Sequence, residues 1–248
     1  MKIYVGSIAW RSFHPTHVFC LIDLLSRQGL LWAPTVGDAL VERSRGRAAT
    51  DFLLRSGADV LLSIDSDVAF RPEDALAVCT QAVEHQAIVA GIYMTRNRTG
   101  GHPTSKLLLD RRYDFALTDD PMRGELAPIQ YAAGGFMAVP RAVFDALAPS
   151  LPLCDEGTAL EQYPFYLPFA VQGDDGKPTM LSEDWALCER ASRAGFPILA
   201  NLGVRLGHVG EETFTLEDML LRPVPTQGMA ITRTASGFQV EHAAVGVG

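Results

Sequence analysis

Two aspartates one residue apart follow an apolar stretch in the segment LLSIDSDVAF at 61–70. If that stretch is a strand of a parallel sheet, Asp65 and Asp67 lie at its carboxyl edge, where open α/β sheets bind their ligands. Carboxylates spaced in this way can hold a hard divalent cation such as Mg²⁺ or Mn²⁺, which neutralises the phosphates of a nucleotide. Aspartates also favour turns for purely structural reasons, so capping of a turn stays open as the alternative.

Two further segments carry residues that could take part in chemistry. Glu183 and Asp184 lie in the first turn of a predicted helix that ends at Gly195, although the helix dipole alone favours acids at that position. His208 lies between glycines in the segment RLGHVG at 205–210. Its imidazole is a competent metal ligand, and a structural or solvated histidine is the alternative.

Strand-like and helical patterns alternate along the amino-terminal part of the chain. Residues 2–8 and 59–65 are apolar runs typical of buried strands, helical periodicity follows Pro15 and Pro72, and another apolar run covers 87–94. The repeated β-α-β order predicts an α/β fold with a mainly parallel, doubly wound sheet and helices on both of its faces.

The pattern changes after Tyr93, where Arg, Gly, Pro and Asp become frequent. Short strand-like pieces at 105–109 and 127–133 predict a smaller antiparallel addition to the sheet. The remaining predicted elements are helices at 38–56, 140–147, 182–194 and 215–221, one or two strands within 197–208, and a long loop at 149–180.

Composition limits the class of protein. The net charge of −8 is spread along the chain, which argues against broad electrostatic binding of nucleic acid. The four cysteines are widely spaced and indicate neither a thiolate metal cluster nor a disulfide framework. The amino terminus lacks the pattern of a signal peptide, and no apolar run approaches the length of a membrane span. We therefore expect a cytoplasmic protein.

The order of these segments resembles that of family-2-like glycosyltransferases of the GT-A fold. The resemblance extends over residues 45–212 and depends on four features: the run LLSIDSDVAF, the glycine pair in YAAGGFMAVPR, the acidic pair of the late helix, and the terminal histidine. It implies a GT-A-like sheet, a nucleotide-sugar donor, a divalent metal, and transfer of the sugar to an acceptor hydroxyl, with the acceptor itself unknown.

The resemblance also implies a role for each matching residue. Asp65 and Asp67 look like the Asp-x-Asp motif at the metal and donor, and His208 looks like the late histidine that completes metal or diphosphate binding. Asp184 matches the general base of inverting members, and Glu183 is similar to its supporting neighbour. The remaining matches are donor-side residues, namely Gly134, Gly135 and Arg45, with Arg43 and Arg47 as alternatives to Arg45.

A single domain is expected, because 248 residues with 48% apolar content fill one core of ordinary size. We place this domain at residues 1–222, with a nucleotide-binding half at 1–94 and an acceptor half at 95–212. The tail at 223–248 is rich in small and polar residues and is expected either to be disordered or to cover a neighbouring subunit of a homo-oligomer.

Several alternatives stay open at this point. A haloacid-dehalogenase-like phosphatase also has a strand that ends in Asp-x-Asp, and GDDGK at 173–177 superficially resembles its later acidic motif. A protein that binds nucleotide-sugars or carbohydrates without turnover is the non-enzymatic alternative, and a nucleotidyltransferase is a weaker third.

The basic stretch TRNRTGG at 95–101 could bind phosphate or be solvated. An aromatic cluster in the long loop could stack on a sugar or anchor the loop: Tyr163, Phe165, Tyr166 and Phe169.

Overall fold

The structure is a computed structural model, and it describes residues 1–96, 102–116, 120–173, 176–210, 214–215 and 229–242. A seven-stranded sheet forms its centre. In spatial order its strands are β2 (Leu30–Val36), β1 (Ile3–Ala9), β3 (Val60–Asp65), β8 (Phe136–Pro140), β5 (Ile88–Gly91), β11 (Ile198–Asn201) and β7 (Leu126–Pro128).

The sheet is mixed, with five strands in one direction and β8 and β7 in the other. β2, β1 and β3 run side by side in one direction, β8 is antiparallel to both β3 and β5, and β11 is parallel to β5. β7 pairs with β11 in the antiparallel sense. The predicted α/β fold is therefore confirmed, and the mixed sheet is compatible with the GT-A architecture, but the sheet is not mainly parallel, because antiparallel β8 lies at its centre. The strand β8 at its centre, FMAVP, was not predicted.

Helices cover both faces of the sheet, as expected. They are α1 (Pro15–Leu25), α2 (Val41–Asp51), α3 (Pro72–His85), α4 (Arg141–Leu147) and α5 (Glu183–Arg193). Helices α2, α4 and α5 bury their apolar residues in one core cluster, and α1 and α3 bury theirs in the other. Strand residues divide between the clusters by the two-residue period, so that Leu61 faces the first and Leu62 the second.

The helix expected at 38–56 is shorter than predicted. Regular α-helix ends at Asp51, and a π-helical turn continues over Phe52–Ser56 to Gly57, which adopts the left-handed conformation at φ +56°. Arg141 donates to the carbonyl oxygens of Phe52, Leu53 and Ala58, so a side chain from α4 binds these carbonyls at the end of the helix.

Smaller antiparallel sheets surround the main one. They are β9 (Ala170–Gln172) with β10 (Pro178–Met180); β4 (Val68–Ala69) with β12 (Gly207–His208) and β13 (Phe214–Thr215); and β6 (Tyr113–Ala116) with β15 (Gly237–His242) and β14 (Met229–Arg233). The piece expected as a strand at 105–109 contains only the isolated bridge from Lys106 to Tyr131. Thr215, where a helix was expected to begin, belongs to a strand, and 216–221 lie outside the described residues.

The described part of the tail is folded and packs on its own chain. Residues 229–242 form a hairpin whose second strand pairs with β6 of the same chain. Phe238 is fully buried and stacks on Phe115 with ring centroids 4.9 Å apart. Aromatic packing and pairing with the edge of β6 therefore hold this segment in place. Its small and polar composition did not indicate either contact.

Candidate active site

The turn that carries Asp65 and Asp67 lies at the carboxyl edge of the sheet and is held by backbone bonds from four segments, one of them from the His14 N–H to the Ser66 carbonyl at 2.9 Å. The Asp65 N–H donates to the Gly135 carbonyl at 3.0 Å, and the Ser66 N–H donates to the Ile8 carbonyl at 3.1 Å. The Val209 N–H donates to the carbonyl of Asp67 at 2.7 Å. The turn is therefore fixed by β1, by His14 at the start of α1, by the glycine pair before β8 and by the residue after β12.

Asp67 and His208 face each other. The distance from Asp67 Oδ2 to His208 Nε2 is 3.5 Å, and Arg96 Nη2 lies 3.1 Å from the same oxygen. Burial alone would raise the pKa of the Asp67 carboxyl, but His208 and Arg96 outweigh it and lower this pKa below its usual value. Asp67 is therefore an anion at neutral pH.

The tautomer of His208 makes its second nitrogen suitable for a cation. Nδ1 lies 2.8 Å from the carbonyl oxygen of Met94, and since a carbonyl only accepts, Nδ1 carries a proton. Nε2 lies 3.5 Å from the Asp67 carboxylate, so protonated His208 pairs with that carboxylate, and loss of the Nε2 proton would leave a lone pair directed at the same position. A metal-binding histidine has the same arrangement, with one ring nitrogen donating to a carbonyl.

The Asp67 carboxylate suits Mg²⁺ or Mn²⁺, the His208 imidazole suits a transition-metal ion such as Mn²⁺, and the third expected ligand, Asp65, does not join them. Asp65 directs Oδ1 to Arg45, and within the described part of the chain no three His, Cys, Asp or Glu side chains are grouped as a metal site. Mg²⁺ commonly uses one or two carboxylates and takes the rest from substrate phosphates and water. Asp67 can supply one such carboxylate, and His208 can add a nitrogen ligand for Mn²⁺.

Arg45 lies behind the acidic turn and is buried, with its side chain 3% exposed. Its guanidinium donates to Asp65 Oδ1 at 2.8 Å, Ser63 Oγ at 2.7 Å, the Gly134 carbonyl at 2.9 Å and Glu183 Oε1 at 3.3 Å. Burial favours the neutral form, but the carboxylates around it, Asp65 first, raise the pKa of Arg45 above its usual value. The resemblance implies a side chain directed to the nucleotide, whereas every one of these bonds is internal.

Close approach explains the glycine pair. A Cβ on Gly134 would lie 2.8 Å from Arg45 Cζ, and one on Gly135 would lie 2.1 Å from Tyr93 Oη and 2.8 Å from Asp65 Oδ2. Any side chain at either position would displace the groups that surround the acidic turn. The pair therefore allows β8 to begin directly against the site.

Asp184 reaches the same glycine turn from the start of α5. Its Oδ2 accepts from the Gly134 N–H at 2.9 Å, and its Oδ1 accepts from the Ser182 hydroxyl and from the Trp185 N–H at 2.8 Å. An ionised carboxylate has about four lone-pair sites. With three of them used, Oδ2 keeps one site with which it can accept a further proton.

Glu183 has a different environment from its neighbour. Burial and then the charge of Asp184 raise the pKa of Glu183, against the opposing effect of Arg45. Its Oε1 accepts from Arg45, and its side chain is 16% exposed. The structure thus brings Glu183, Asp184, Asp65 and Arg45 into one cluster, and the Asp67–His208 pair lies at the other end of the same turn.

Two site residues were missed by sequence reasoning. Tyr93 is buried, contacts the site through its hydroxyl beside Gly135, and packs its ring edge-on against His208 with centroids 5.2 Å apart. His17 of α1 is fully buried, and its Nδ1 lies 2.8 Å from the carbonyl of Val68, the residue after Asp67. The position of Tyr93 at the carboxyl end of the strand predicted at 87–94 was an available signal, whereas nothing in the pattern of α1 indicated His17.

The structure bears on two questions that the sequence left open, namely the roles of the aromatic cluster and of the basic stretch. Phe165 and Tyr166 are buried in the core and Tyr163 and Phe169 pack against it, so the aromatic cluster anchors the long loop. In the basic stretch, Arg96 is paired with Asp67, and 97–101 lie outside the described residues.

The late acidic motif of a phosphatase finds no support in the described residues. Gly173 and Lys177 close the exposed turn of the β9–β10 hairpin, although that motif follows a buried strand in the phosphatase family. Asp174 and Asp175 themselves lie outside the described residues.

Among the described helices, none is both long enough and apolar enough to cross a membrane.

No family model matches the chain, and no curated protein matches it in sequence. Solved structures with a similar fold include A197 from STIV, with 16% identity and a TM-score of 0.54 over 87% of this chain and 90% of that one. They also include GalNAc-T7 solved with UDP, GalNAc and Mn²⁺, with 12% identity and a TM-score of 0.52. That match covers 95% of this chain and 46% of GalNAc-T7, so the chain spans about half of its length. At these identities the similarity concerns the fold alone.

Proposed function

We propose that the chain is a metal-dependent glycosyltransferase that moves a sugar from a nucleotide-sugar donor to an acceptor hydroxyl. The observation that carries this proposal is the position of Arg45, which contacts Asp65 at 2.8 Å and Glu183 at 3.3 Å. Arg45 thereby joins two groups in one site. The turn with Asp65 and Asp67 is suited to a donor diphosphate, and the acidic pair Glu183 and Asp184 is suited to an acceptor. The shared fold with GalNAc-T7, which was solved with UDP, GalNAc and Mn²⁺, supports the same class of reaction.

The donor side consists of Asp67, His208 and Arg96. Asp67 and His208 would hold Mn²⁺ or Mg²⁺, and the chemistry supplied by such a cation is neutralisation of the charge that develops on the departing diphosphate. Arg96, with its side chain 46% exposed, pairs with Asp67 in the free protein and can transfer its bidentate donors to a phosphate when the donor binds.

The acceptor side consists of Asp184 and Glu183. The acceptor oxygen forms a bond to the anomeric carbon as the bond between that carbon and the diphosphate oxygen breaks. The hydroxyl proton passes to Oδ2 of Asp184, and the electron pair of the broken bond leaves with the diphosphate. Direct displacement from the face opposite the leaving group inverts the anomeric configuration, so we propose an inverting enzyme.

The glycine pair and Arg45 position these groups. The Gly134 N–H orients the Asp184 carboxylate, while its carbonyl accepts from Arg45. Arg45 therefore acts on the reaction through Asp65, Glu183 and Gly134, as a positioning residue. We assign Gly134 and Gly135 to the donor side, because the absence of their side chains lets Arg45, Tyr93 and Asp65 pack directly against this turn.

A donor panel tests the proposal. The purified protein is incubated with UDP-, GDP- and dTDP-sugars and either Mn²⁺ or Mg²⁺, and nucleotide release is measured with and without excess chelator. Release from at least one donor that is abolished by chelator supports the proposal. Tight binding of a nucleotide-sugar without metal-stimulated consumption would instead support the non-enzymatic alternative, and hydrolysis of simple phosphate monoesters would support a phosphatase.

A further inference from the structure

A preformed cavity of about 290 Å³ lies between the first turn of α2 and the long loop that precedes α5. Its surface is mostly apolar. The residues that line it are Glu42, Arg43, Cys154, Gln162, Pro164 and Leu167. None of the residues assigned above to the donor or to proton transfer lines this cavity.

Contacts on both sides hold the loop wall of the cavity in place. Gly46 of α2 packs so closely that a Cβ there would lie 2.8 Å from Gln162 Oε1, and the Tyr163 N–H donates to Thr50 Oγ1 at 2.8 Å. From α5, Arg190 donates to the carbonyls of Phe165 and Leu167 at 3.1 and 2.8 Å. The loop wall is therefore ordered before any ligand binds.

The cavity lies at the same edge of the sheet as the candidate active site. α2 follows β2, which is parallel to β3, so the first turn of α2 lies at the same sheet edge as Asp65. Glu42 precedes Arg45 by three residues, which is about 4.5 Å along the helix and on the same face. A ligand that places a hydroxyl near Asp184 can thus extend over the end of α2 into the cavity.

The lining does not suit the charged donor. Arg43 directs Nε and Nη2 to the Asp38 carboxylate, both at 2.7 Å, and Glu42 adds a negative charge that repels a diphosphate. None of the six lining side chains is aromatic, so the cavity offers no ring on which a base could stack. Pro164, Leu167 and the Cys154 thiol instead present carbon and sulfur surface to the cavity. The side chain of Leu167 is 54% exposed.

Building on the proposed transferase function, we propose that this cavity binds an alkyl group joined to the hydroxyl-bearing part of the acceptor. The acceptor is then amphipathic, with its polar part at Asp184 and its alkyl part between α2 and Leu167. Burial of two methylene groups is enough to favour such an acceptor about tenfold over its methyl analogue.

The exposed thiol of Cys154 allows binding to be tested without turnover. In a Cys20→Ser background, with Cys79 and Cys188 buried, we expect N-ethylmaleimide to label Cys154 selectively. Octyl glucoside below its micelle-forming concentration should slow this labelling, and methyl glucoside at the same concentration should not. Leu167→Asp should remove the protection, while Leu160→Asp, at an exposed position of the same loop outside the cavity, should retain it. Equal labelling rates with the two glucosides would overturn the proposal.

The transfer reaction supplies the second measurement. With a donor that the protein consumes, octyl glycosides should outperform methyl glycosides as acceptors by about tenfold, and Leu167→Asp should abolish this preference. Donor hydrolysis in the absence of acceptor should be equal in Leu167→Asp and the unaltered protein. If the donor is hydrolysed in a metal-dependent way but octyl glycosides are not preferred, the alkyl site is wrong and the transferase function stands. If no donor is consumed, the transferase function is wrong, and the labelling experiment alone decides whether the alkyl site exists.

Discussion

The guanidinium of Arg45 contacts the Asp65 carboxylate at 2.8 Å and, through Nε, the Glu183 carboxylate at 3.3 Å. Helix α2 thereby joins the turn after β3 to the start of α5, two segments more than a hundred residues apart in the chain. Because the Arg45 side chain is 3% exposed, little solvent screens these contacts. Their loss should therefore affect both stability and function.

Replacement of Arg45 by Met should destabilise the fold by about 3–5 kcal/mol, because it leaves two partly buried carboxylates without their cation. Urea unfolding monitored by circular dichroism measures this change. The matched control is Arg27→Ala, which removes a pair with Glu73 whose side chains are about half exposed and should cost no more than about 1 kcal/mol. Arg45→Met combined with Glu183→Gln should cost less than the sum of the two changes, and strict additivity would contradict the proposed coupling.

Asp67→Asn should abolish turnover while the fold survives, because the side chain is 26% exposed and its charge is needed at the metal. His208→Ala should weaken Mn²⁺ binding measured by calorimetry, since it removes the second protein ligand. Asp145→Asn removes an equal charge from an exposed position of α4 and serves as the control for both. Undiminished activity of the unaltered enzyme in excess chelator would show that the metal assignment is wrong.

The pH dependence of stability should have opposite signs at Glu183 and Asp67 in metal-free buffer. The folded-state pKa of Glu183 is raised above 4.5, so its protonated form is favoured by folding, and its contribution to stability falls as pH rises through that raised pKa. The folded-state pKa of Asp67 is lowered below 3.8, so its contribution is present above 3.8 and is lost as pH falls through the lower value.

Paired unfolding curves can test these two signs. The difference in unfolding free energy between the unaltered protein and Glu183→Gln should decrease with increasing pH above 4.5. The corresponding difference for Asp67→Asn should increase with pH through the range below 3.8. Two differences that change in the same direction would contradict the environments described for these carboxylates.

Strong local patterns made part of this architecture predictable. The apolar run before Asp65 indicated a buried strand, and its place in the β-α-β order put the acidic turn at the carboxyl edge. The helices that begin at Pro15 and Pro72 were predicted for similarly local reasons, since proline favours the first helical position.

Other features depend on contacts that a local pattern does not encode. Strand β8 is a five-residue apolar run between glycines and a helix, and its insertion between β3 and β5 is a property of the whole sheet. The spacing of α2 did not reveal that Arg45 faces inward, because its partners Glu183 and Gly134 come from distant segments. The hairpin at 229–242 is likewise held by Phe115, which lies over a hundred residues earlier in the chain.

The assignment of Asp184 as general base makes the most specific prediction. Asp184→Asn should lower kcat by about 10²–10⁴-fold, because the amide cannot take the acceptor proton although it can still accept from the Gly134 N–H. Glu183→Gln should lower kcat less, since that carboxylate is engaged by Arg45 and its raised pKa leaves it less fully ionised. Circular dichroism of both variants controls for misfolding. Proton NMR of the first-formed product from an α-linked donor then tests the stereochemistry: a β-linked product agrees with direct displacement, and a retained α-linkage contradicts inversion. If Asp184→Asn keeps most of its kcat, the base assignment is wrong whatever the stereochemistry.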